Sequence, residues 1–170
     1  MKINYIKAHF ITSVPLKAFL NDNFKQHGNI KIGSFEDHKE IKVTLMGRSF
    51  SFVNITGAKN IQSMLNFQNY YLLRSKTTLI RGLKIDSISA TQKFLRKSKV
   101  NFEDFRRKLI DQHLAIKDSS KFPGVVIRES KLPKGGCCVY FRSGSLNFIG
   151  FKHADQMYKI KRKIESALFA

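Results

Sequence analysis

The chain has 170 residues, of which 42% are hydrophobic, which suffices for one folded core or for two small halves that share one. Its formal charge of +19, from 31 Lys and Arg against 12 Asp and Glu, makes nucleic acid the first partner to consider and an anionic membrane second. A merely solubilising surface charge is the plain alternative. No apolar stretch approaches the roughly 18 residues of a membrane span, and no signal-peptide core follows Met1, so we expect an intracellular protein with no membrane partner.

The first half predicts a strand, a helix, three strands and a second helix. Residues 3–12 alternate like a strand, and Ser13 before Pro15 starts a helical pattern. The apolar stripe of this helix is Leu16, Phe19, Leu20 and Phe24. Three β-type runs follow at 29–35, 40–46 and 50–56. The closing helix carries a predicted inner face of Ile61, Met64, Leu65, Gln68 and Leu72.

The second half predicts the same order of elements. Residues 83–90 alternate like a strand, and Asn101 caps a helix whose apolar face is Phe102, Phe105 and Leu109. Strands are predicted at 122–129, 137–142 and 145–151. The closing helix has a predicted inner face of Ala154, Met157, Tyr158, Lys161, Ile164 and Leu168.

A seven-residue phrase occurs once in each half, as VNITGAK at 53–59 and LNFIGFK at 146–152. Its glycines stand 93 residues apart (150 minus 57), which indicates an internal duplication with repeats at 1–78 and 79–170. Strand alternation turns Asn54 and Thr56, like Asn147 and Ile149, away from the side that the helices cover. A sheet face without a helix is explained if it binds something.

Several segments resemble the TATA-binding protein family. They are FPGVVIR at 122–128, VYFRSG at 139–144 and IGFK at 149–152, in the family's order, with TGAK at 56–59 in the first half. The resemblance spans almost the whole chain. It implies an α+β fold: an internally duplicated saddle whose ten-stranded, curved antiparallel sheet carries helices on its convex face. It also implies a general transcription initiation factor whose concave face binds and bends AT-rich promoter DNA in the minor groove; the family is a standard example of that mechanism.

The resemblance also implies site residues. Phe122 and Phe141 match a pair that wedges between base steps, and Phe35 matches the first wedge residue of the other half. Arg128, Ser143 and Lys152 match phosphate contacts, and Val139 and Ile149 match apolar groove contacts. Thr56 and Lys59 match first-half contacts. Asn4 matches an asparagine that bonds to central base edges, with Ser87 as its second-half partner.

The wedge pair has independent local support only in the second half. A hairpin turning at Lys131 and Leu132 would place Phe122 opposite Phe141. In the first half, the position that corresponds to Phe141 by counting is Arg48. Met46, Phe50 and Phe52 are nearby substitutes, and Phe50 and Phe52 share the parity of Asn54, which favours the concave side unless a bulge intervenes.

The sequence departs from the family pattern at two further places. Asn54 and Asn147 stand where the family has valine, so the preferred DNA sequence can differ from a TATA element. The acidic stirrup that docks the B-type initiation factor is replaced by IKDSSK at 116–121. A divergent initiation system of a large DNA virus or a protist is compatible with this. We therefore expect other initiation factors or RNA polymerase as partners, a monomer on DNA, and a location in the nucleus or a cytoplasmic viral factory.

Two other function classes are alternatives. An enzyme would need a catalytic constellation, and the sequence has no phosphate-binding Gly-rich loop, no HExxH and no Ser/His/Asp arrangement, while Glu103, Asp104 and Asp111 lie on a predicted solvated helix face, so no enzymatic activity is expected. The adjacent Cys137 and Cys138 predict neither a disulfide framework nor a zinc site, so no cofactor is expected. A sequence-neutral basic architectural or DNA-packaging protein would bind by charge alone, with a steep salt dependence and equal affinity for any duplex.

Overall fold

Ten strands and three α-helices are formed by the residues that the computed structural model describes, which are 1–14, 23–47, 50–94, 101–119, 122–129 and 135–169, with only the backbone at 118, 119 and 122. In chain order they are β1 (Lys2–Thr12), β2 (Lys25–His27), β3 (Ile30–Gly33), β4 (Lys42–Met46), β5 (Ser51–Thr56), α1 (Ile61–Ser75), β6 (Leu79–Lys93), α2 (Phe102–Asp111), β7 (Leu114–Ser119), β8 (Phe122–Glu129), β9 (Cys137–Phe141), β10 (Ser145–Phe151) and α3 (Ala154–Phe169). A short 3₁₀ turn at Glu36–His38 lies between β3 and β4. None of the helices in this part of the chain could cross a membrane.

The chain divides into two compact units. The first is Asn4–Asp86, and the second is Ser87–Ala170 together with Met1–Ile3. The first unit has the strand order β2-β3-β4-β5-β1, and the second has β6-β10-β9-β8-β7. Strand β6 begins in the first unit and ends in the second, and the pairings within each unit are antiparallel. The predicted boundary at residues 78 and 79 lies directly before β6.

The core of the first unit lies between its sheet and α1. Phe10 pairs with Val53 across β1 and β5, and its ring meets the edge of Tyr71 on α1 at 5.4 Å between centroids. The side chains that α1 buries are Met64, Phe67, Gln68, Tyr71 and Ser75. The predicted inner face is therefore wrong at Ile61 and Leu65, which are 46% and 39% exposed. The predicted Met64 and Gln68 are buried, and the aromatic residues at 67 and 71 complete the buried side.

The core of the second unit packs α2 and α3 against β9 and β10. Tyr140 on β9 lies 5.1 Å from the ring of Phe105 on α2. Asn101 caps α2 as predicted, because its side-chain oxygen accepts the backbone N–H groups of Glu103 and Asp104 at 3.1 and 3.2 Å. The residues that α3 buries are Met157, Ile160, Ile164 and Ala167, so the predicted inner position of Tyr158, which is 49% exposed, is wrong.

All eight strands predicted from the residue pattern are present, and β8 and β10 keep their predicted bounds. The residue pattern does not predict β2 and β7, which lie at the ends of the two strand orders. The helix predicted after Ser13 falls mainly at 15–22, which lies outside the described residues.

Candidate nucleic-acid interface

Each unit presents one side of its sheet away from its described helices, and we call this side the open face. Because Phe10 and Val53 face α1, their strand neighbours His9 and Asn54 lie on the open face. Strand registers extend this pair into a middle row across the first unit: His9, Asn54, Thr44, Ile32 and Lys25. The middle row of the second unit is Thr91, Asn147, Val139, Val126 and Lys117. The two phrase asparagines thus occupy the same place in both rows.

The repeated phrase encodes a β-bulge in each unit. In β10 the register shifts between Phe148 and Phe151, which pair with Ala90 and Ile88, so one extra residue is accommodated at Gly150 with φ +78°. In the first unit, Gly57 has φ +116°, and two consecutive residues, Gly57 and Ala58, lie opposite the single residue Ile6. Ile6 N–H donates to Ala58 at 2.9 Å and the carbonyl of Ile6 accepts from Gly57 at 3.3 Å. The bulge ends the regular row and leads into the following helix.

Exposed cations lie beside the middle rows of both units. Thr56 pairs with Lys7 on one side and with Lys42 on the other, and both lysines are exposed. The predicted phosphate-contacting residues Lys59, Arg128 and Lys152 are exposed as well. Apart from His9 and the two end lysines, Lys25 and Lys117, the middle rows consist of apolar, hydroxyl and amide groups, so most of the charge lies beside them.

The second-unit wedge prediction needs a correction of register. Phe141 pairs with Gly124 across β8 and β9, so Phe122 is not directly opposite Phe141. The side chain of Phe122 lies outside the described residues. Phe141 is half-buried on the open face, two residues beyond Val139, and a turn with a Gly144 N–H to Phe141 carbonyl bond of 2.9 Å follows it. Ser143 is exposed within this turn.

In the first unit the wedge prediction is wrong for Phe35. This residue is 2% exposed and belongs to the core. Its ring lies 5.1 Å from that of Phe24, 5.8 Å from that of Phe67 and 5.5 Å from that of Tyr70. No DNA base step can reach a side chain in this position without the core opening.

The structural equivalent of Phe141 in the first unit is Met46. Met46 stands two residues beyond Thr44, which pairs with Asn54, just as Phe141 stands two residues beyond Val139, which pairs with Asn147. The predicted equivalent, Arg48, is therefore two residues too far along the chain, and it lies outside the described residues. Of the other proposed substitutes, Phe52 pairs with Met46 and lies on the open face, and Phe50 is 44% exposed just before β5.

An ion-pair-like contact that sequence reasoning missed lies on the open face of the first unit. His9 Nδ1 is 2.9 Å from both carboxylate oxygens of Asp86. The imidazole ring also stacks on Phe52, with 4.6 Å between centroids and 23° between planes. The side chain of His9 is 13% exposed and that of Asp86 is 30% exposed. This contact holds Asp86 on the same side of the sheet as Asn54.

The strand registers change the predicted second-half partner of Asn4. Ala8 pairs with Ile55 and Ala90 with Phe148, and these partners hold the same place in the phrase. Positions in β6 therefore follow their β1 equivalents by 82 residues (90 minus 8). Asn4 corresponds to Asp86, so the predicted pairing of Asn4 with Ser87 is wrong. Asn4 is exposed near the start of β1, and Ser87, which is half-buried, corresponds to Tyr5.

The two predicted apolar contacts differ in accessibility. Val139 is only 6% exposed, whereas Ile149 at the bulge is 46% exposed. Only a closely fitting ligand could contact Val139.

The described residues form no group of three His, Cys, Asp or Glu side chains suited to a metal ion. A hydrogen bond from Lys108 lowers the pKa of the Asp104 carboxyl, as do the nearby charges of Lys108 and Arg107. The Asp104 carboxylate therefore forms ion pairs with Arg107 and Lys108 on the same helix, at the protein surface. Burial raises the pKa of the Cys138 thiol, with a smaller contribution from Cys137, so Cys138 is an inert core residue.

The structure matches that of Methanococcus jannaschii TBP with a TM-score of 0.69, covering 98% of this chain and 97% of that chain at 19% sequence identity. The chain has the fold of TATA-binding protein (TBP). The predicted α+β class and duplicated saddle fold are thereby confirmed. No family model matches the sequence, and no curated protein matches it.

Proposed function

We propose that the chain is a transcription initiation factor that binds AT-rich promoter DNA in the minor groove through its open faces. The observation that carries this proposal is the pair of middle rows, which present Asn54 and Asn147 at equivalent places among small polar and apolar groups. A TBP fold supplies the scaffold, and the +19 charge supplies the attraction to phosphate. In this proposal the protein acts as a monomer on DNA, with initiation factors or RNA polymerase as partners, in the nucleus or a cytoplasmic viral factory.

The chemistry of the rows suits the minor groove better than the major groove. The floor of an A·T minor groove offers only the acceptors A N3 and T O2, to which an asparagine amide can donate. Apolar neighbours such as Val126 and Ile32, which is 42% exposed, can pack on the sugar walls and base edges. Lysines such as Lys7 and Lys42, beside Thr56, are placed to meet the phosphates that border the groove.

Bending is the second part of the proposal. Inserted apolar side chains partly unstack base steps at a cost of about a few kcal/mol per step, which contacts with bent DNA offset. Phe141, with Phe122 on the neighbouring strand, is our proposed wedge in the second unit. Met46 takes this role in the first unit, where Phe35 is unable to do so, and Phe52 lies opposite Met46 with its ring stacked on His9. The wedges would therefore differ in size between the two ends of the site.

The decisive experiment measures the bend of a short AT-rich duplex labelled at both ends for energy transfer. Wild-type protein should bring the ends closer, and Phe141→Ala should abolish most of this change while retaining weak, salt-sensitive binding. Phe169→Ala is a matched control, because Phe169 is 64% exposed near the end of α3 and has no place on the open face. Unchanged bending by Phe141→Ala would overturn the wedge assignment.

The same preparation tests the architectural alternative. A protein that binds by charge alone would show equal affinity for AT-rich and GC-rich duplexes of one length, with log affinity falling steeply with log salt. A preference for the AT-rich duplex that persists at each salt concentration would favour the proposed function.

A further inference from the structure

We propose that Asp86 makes this protein select a guanine at one defined position within its otherwise AT-rich site. The proposal rests on minor-groove binding by the open face, as proposed above. The specificity-determining contact joins the Asp86 carboxylate to the exocyclic N2 amino group of guanine.

Asp86 lies beside the middle row of the first unit. Its carboxylate lies within 2.9 Å of His9 Nδ1, and His9 belongs to the middle row beside Asn54. A ligand that contacts Asn54 from the open side therefore also meets the Asp86 carboxylate, whose side chain is 30% exposed. The contact from His9 restricts the rotamer of Asp86, so the acceptor is held in place before DNA arrives.

A carboxylate and the floor of the minor groove are matched only where the groove offers a hydrogen-bond donor. An ionised Asp accepts hydrogen bonds and donates none. Every base pair in the minor groove presents acceptors, and guanine N2 is the only base group there that donates. An A·T pair facing Asp86 would bring acceptor against acceptor, whereas a G·C pair would supply the missing donor. Asn4, the β1 equivalent of Asp86, has an amide that can donate, so the two equivalent positions differ in what they select.

His9 strengthens the same selection. Since His9 Nδ1 lies 2.9 Å from both oxygens of Asp86, the tautomer with a proton on Nδ1 donates to the carboxylate. In the neutral ring, Nε2 is then an acceptor. Phe52 stacks on the imidazole at 4.6 Å and fixes the ring plane. His9 is thus a positioning residue for Asp86 on a face that is otherwise cationic at Lys7 and Lys42.

The test uses AT-rich duplexes in which a single G·C pair is moved through the site one position at a time. One position should bind more tightly than the all-A·T duplex, by about tenfold for a well-formed base contact. Replacing that guanine by inosine removes only the N2 amino group and should remove the gain. Adding the same amino group to adenine, as 2,6-diaminopurine, at that position should restore it.

Asp86→Asn is the corresponding protein variant, because the amide keeps the shape of the side chain and gains a donor. It should lose most of the preference for guanine over inosine and bind A·T better at that position, because its NH2 group can donate to A N3 or T O2 and its single carbonyl oxygen is a weaker acceptor than a carboxylate. Asp104→Asn is the matched control: it makes the same charge change on α2 and should raise affinity for all duplexes alike, with the guanine-to-inosine ratio kept.

The outcomes separate this proposal from the one on which it rests. AT-selective binding and bending with equal affinity for guanine and inosine at every position would overturn the role of Asp86 and leave the proposed function intact. Absence of any duplex preference would overturn the proposed function itself. Loss of the guanine preference in Asp86→Asn but not in Asp104→Asn would establish the contact.

Discussion

Gly57 and Gly150 hold the same place in the two copies of the phrase, yet alanine should cost much more at Gly57. At Gly150 the backbone has φ +78°, and an added Cβ would meet only the Cα of Gly136 at 3.9 Å, which is an ordinary contact. Forcing a residue with a Cβ into a left-handed conformation costs about 1–2 kcal/mol. Gly150→Ala should therefore lower the free energy of unfolding by roughly that amount.

At Gly57 the backbone and the packing both oppose a side chain. Its φ of +116° lies beyond the left-handed region, and an added Cβ would stand 2.1 Å from the carbonyl oxygen of Glu40. Backbone must move, since the obstacle is not the end of a flexible side chain. Strain of about 1–3 kcal/mol and overpacking of about 1–3 kcal/mol together give a cost of roughly 4 kcal/mol. The difference from Gly150→Ala of about 2–3 kcal/mol corresponds to a midpoint lower by roughly 4–12 °C, at about 2–4 °C per kcal/mol for a chain of this size.

Thermal and urea unfolding of the purified variants, followed by circular dichroism, measures this difference. Gly82→Ala is the control, because its Cβ would meet nothing within 4 Å and its φ is not positive. This variant should unfold within about 0.5 kcal/mol of wild type. Equal midpoints for Gly57→Ala and Gly150→Ala, or a greater loss in Gly150→Ala, would refute the reasoning from backbone conformation and contact distance.

Two further predictions concern the open face. Replacing both Asn54 and Asn147 by valine should shift sequence preference more than overall affinity, because valine keeps the bulk but cannot donate to A N3 or T O2; identical preferences in selections from random duplexes would contradict this. Cys137, half-buried beside Ile149 on the open face, should react with a maleimide, whereas the buried Cys138 with its raised pKa should not. Bound duplex should protect Cys137, and labelling that is indifferent to DNA would argue against this face as the interface.

Strands with an apolar face could be predicted from the sequence, and strands at the ends of the order could not. In β10 the buried residues alternate with accessible ones, and this produced correct bounds. The strand β2 has three residues, all exposed, and therefore no apolar periodicity. The strand β7 follows α2 through His113, a non-glycine residue with φ +59°, so no glycine marked the end of the helix.

Site positions that depend on register were the hardest to predict. The turn assumed at Lys131 and Leu132 shifted the partner of Phe141 from Gly124 to Phe122. Register in a hairpin depends on turn geometry, which composition alone does not fix. The contact between His9 and Asp86 joins residues 77 positions apart, and only a strand alignment could have revealed it. The alanines at 8 and 90, each opposite the third residue of a phrase, were the available signal.

In each repeat, the residues that determine the backbone are distinct from the residues that face the open side. Its glycines and buried positions determine the backbone: Ile55 and Phe148 are at most 1% exposed, and each copy ends in a bulge and then a helix. Residues on the neighbouring strands β4 and β9 that face the open side can differ between the units, because they do not pack against the described helices. Thr44 stands where the second unit has Val139, and Met46 where it has Phe141. Since the backbone frame is repeated while these side chains are not, the proposed function predicts a preferred DNA site that is not palindromic, which a selection from random duplexes would reveal as an asymmetric consensus.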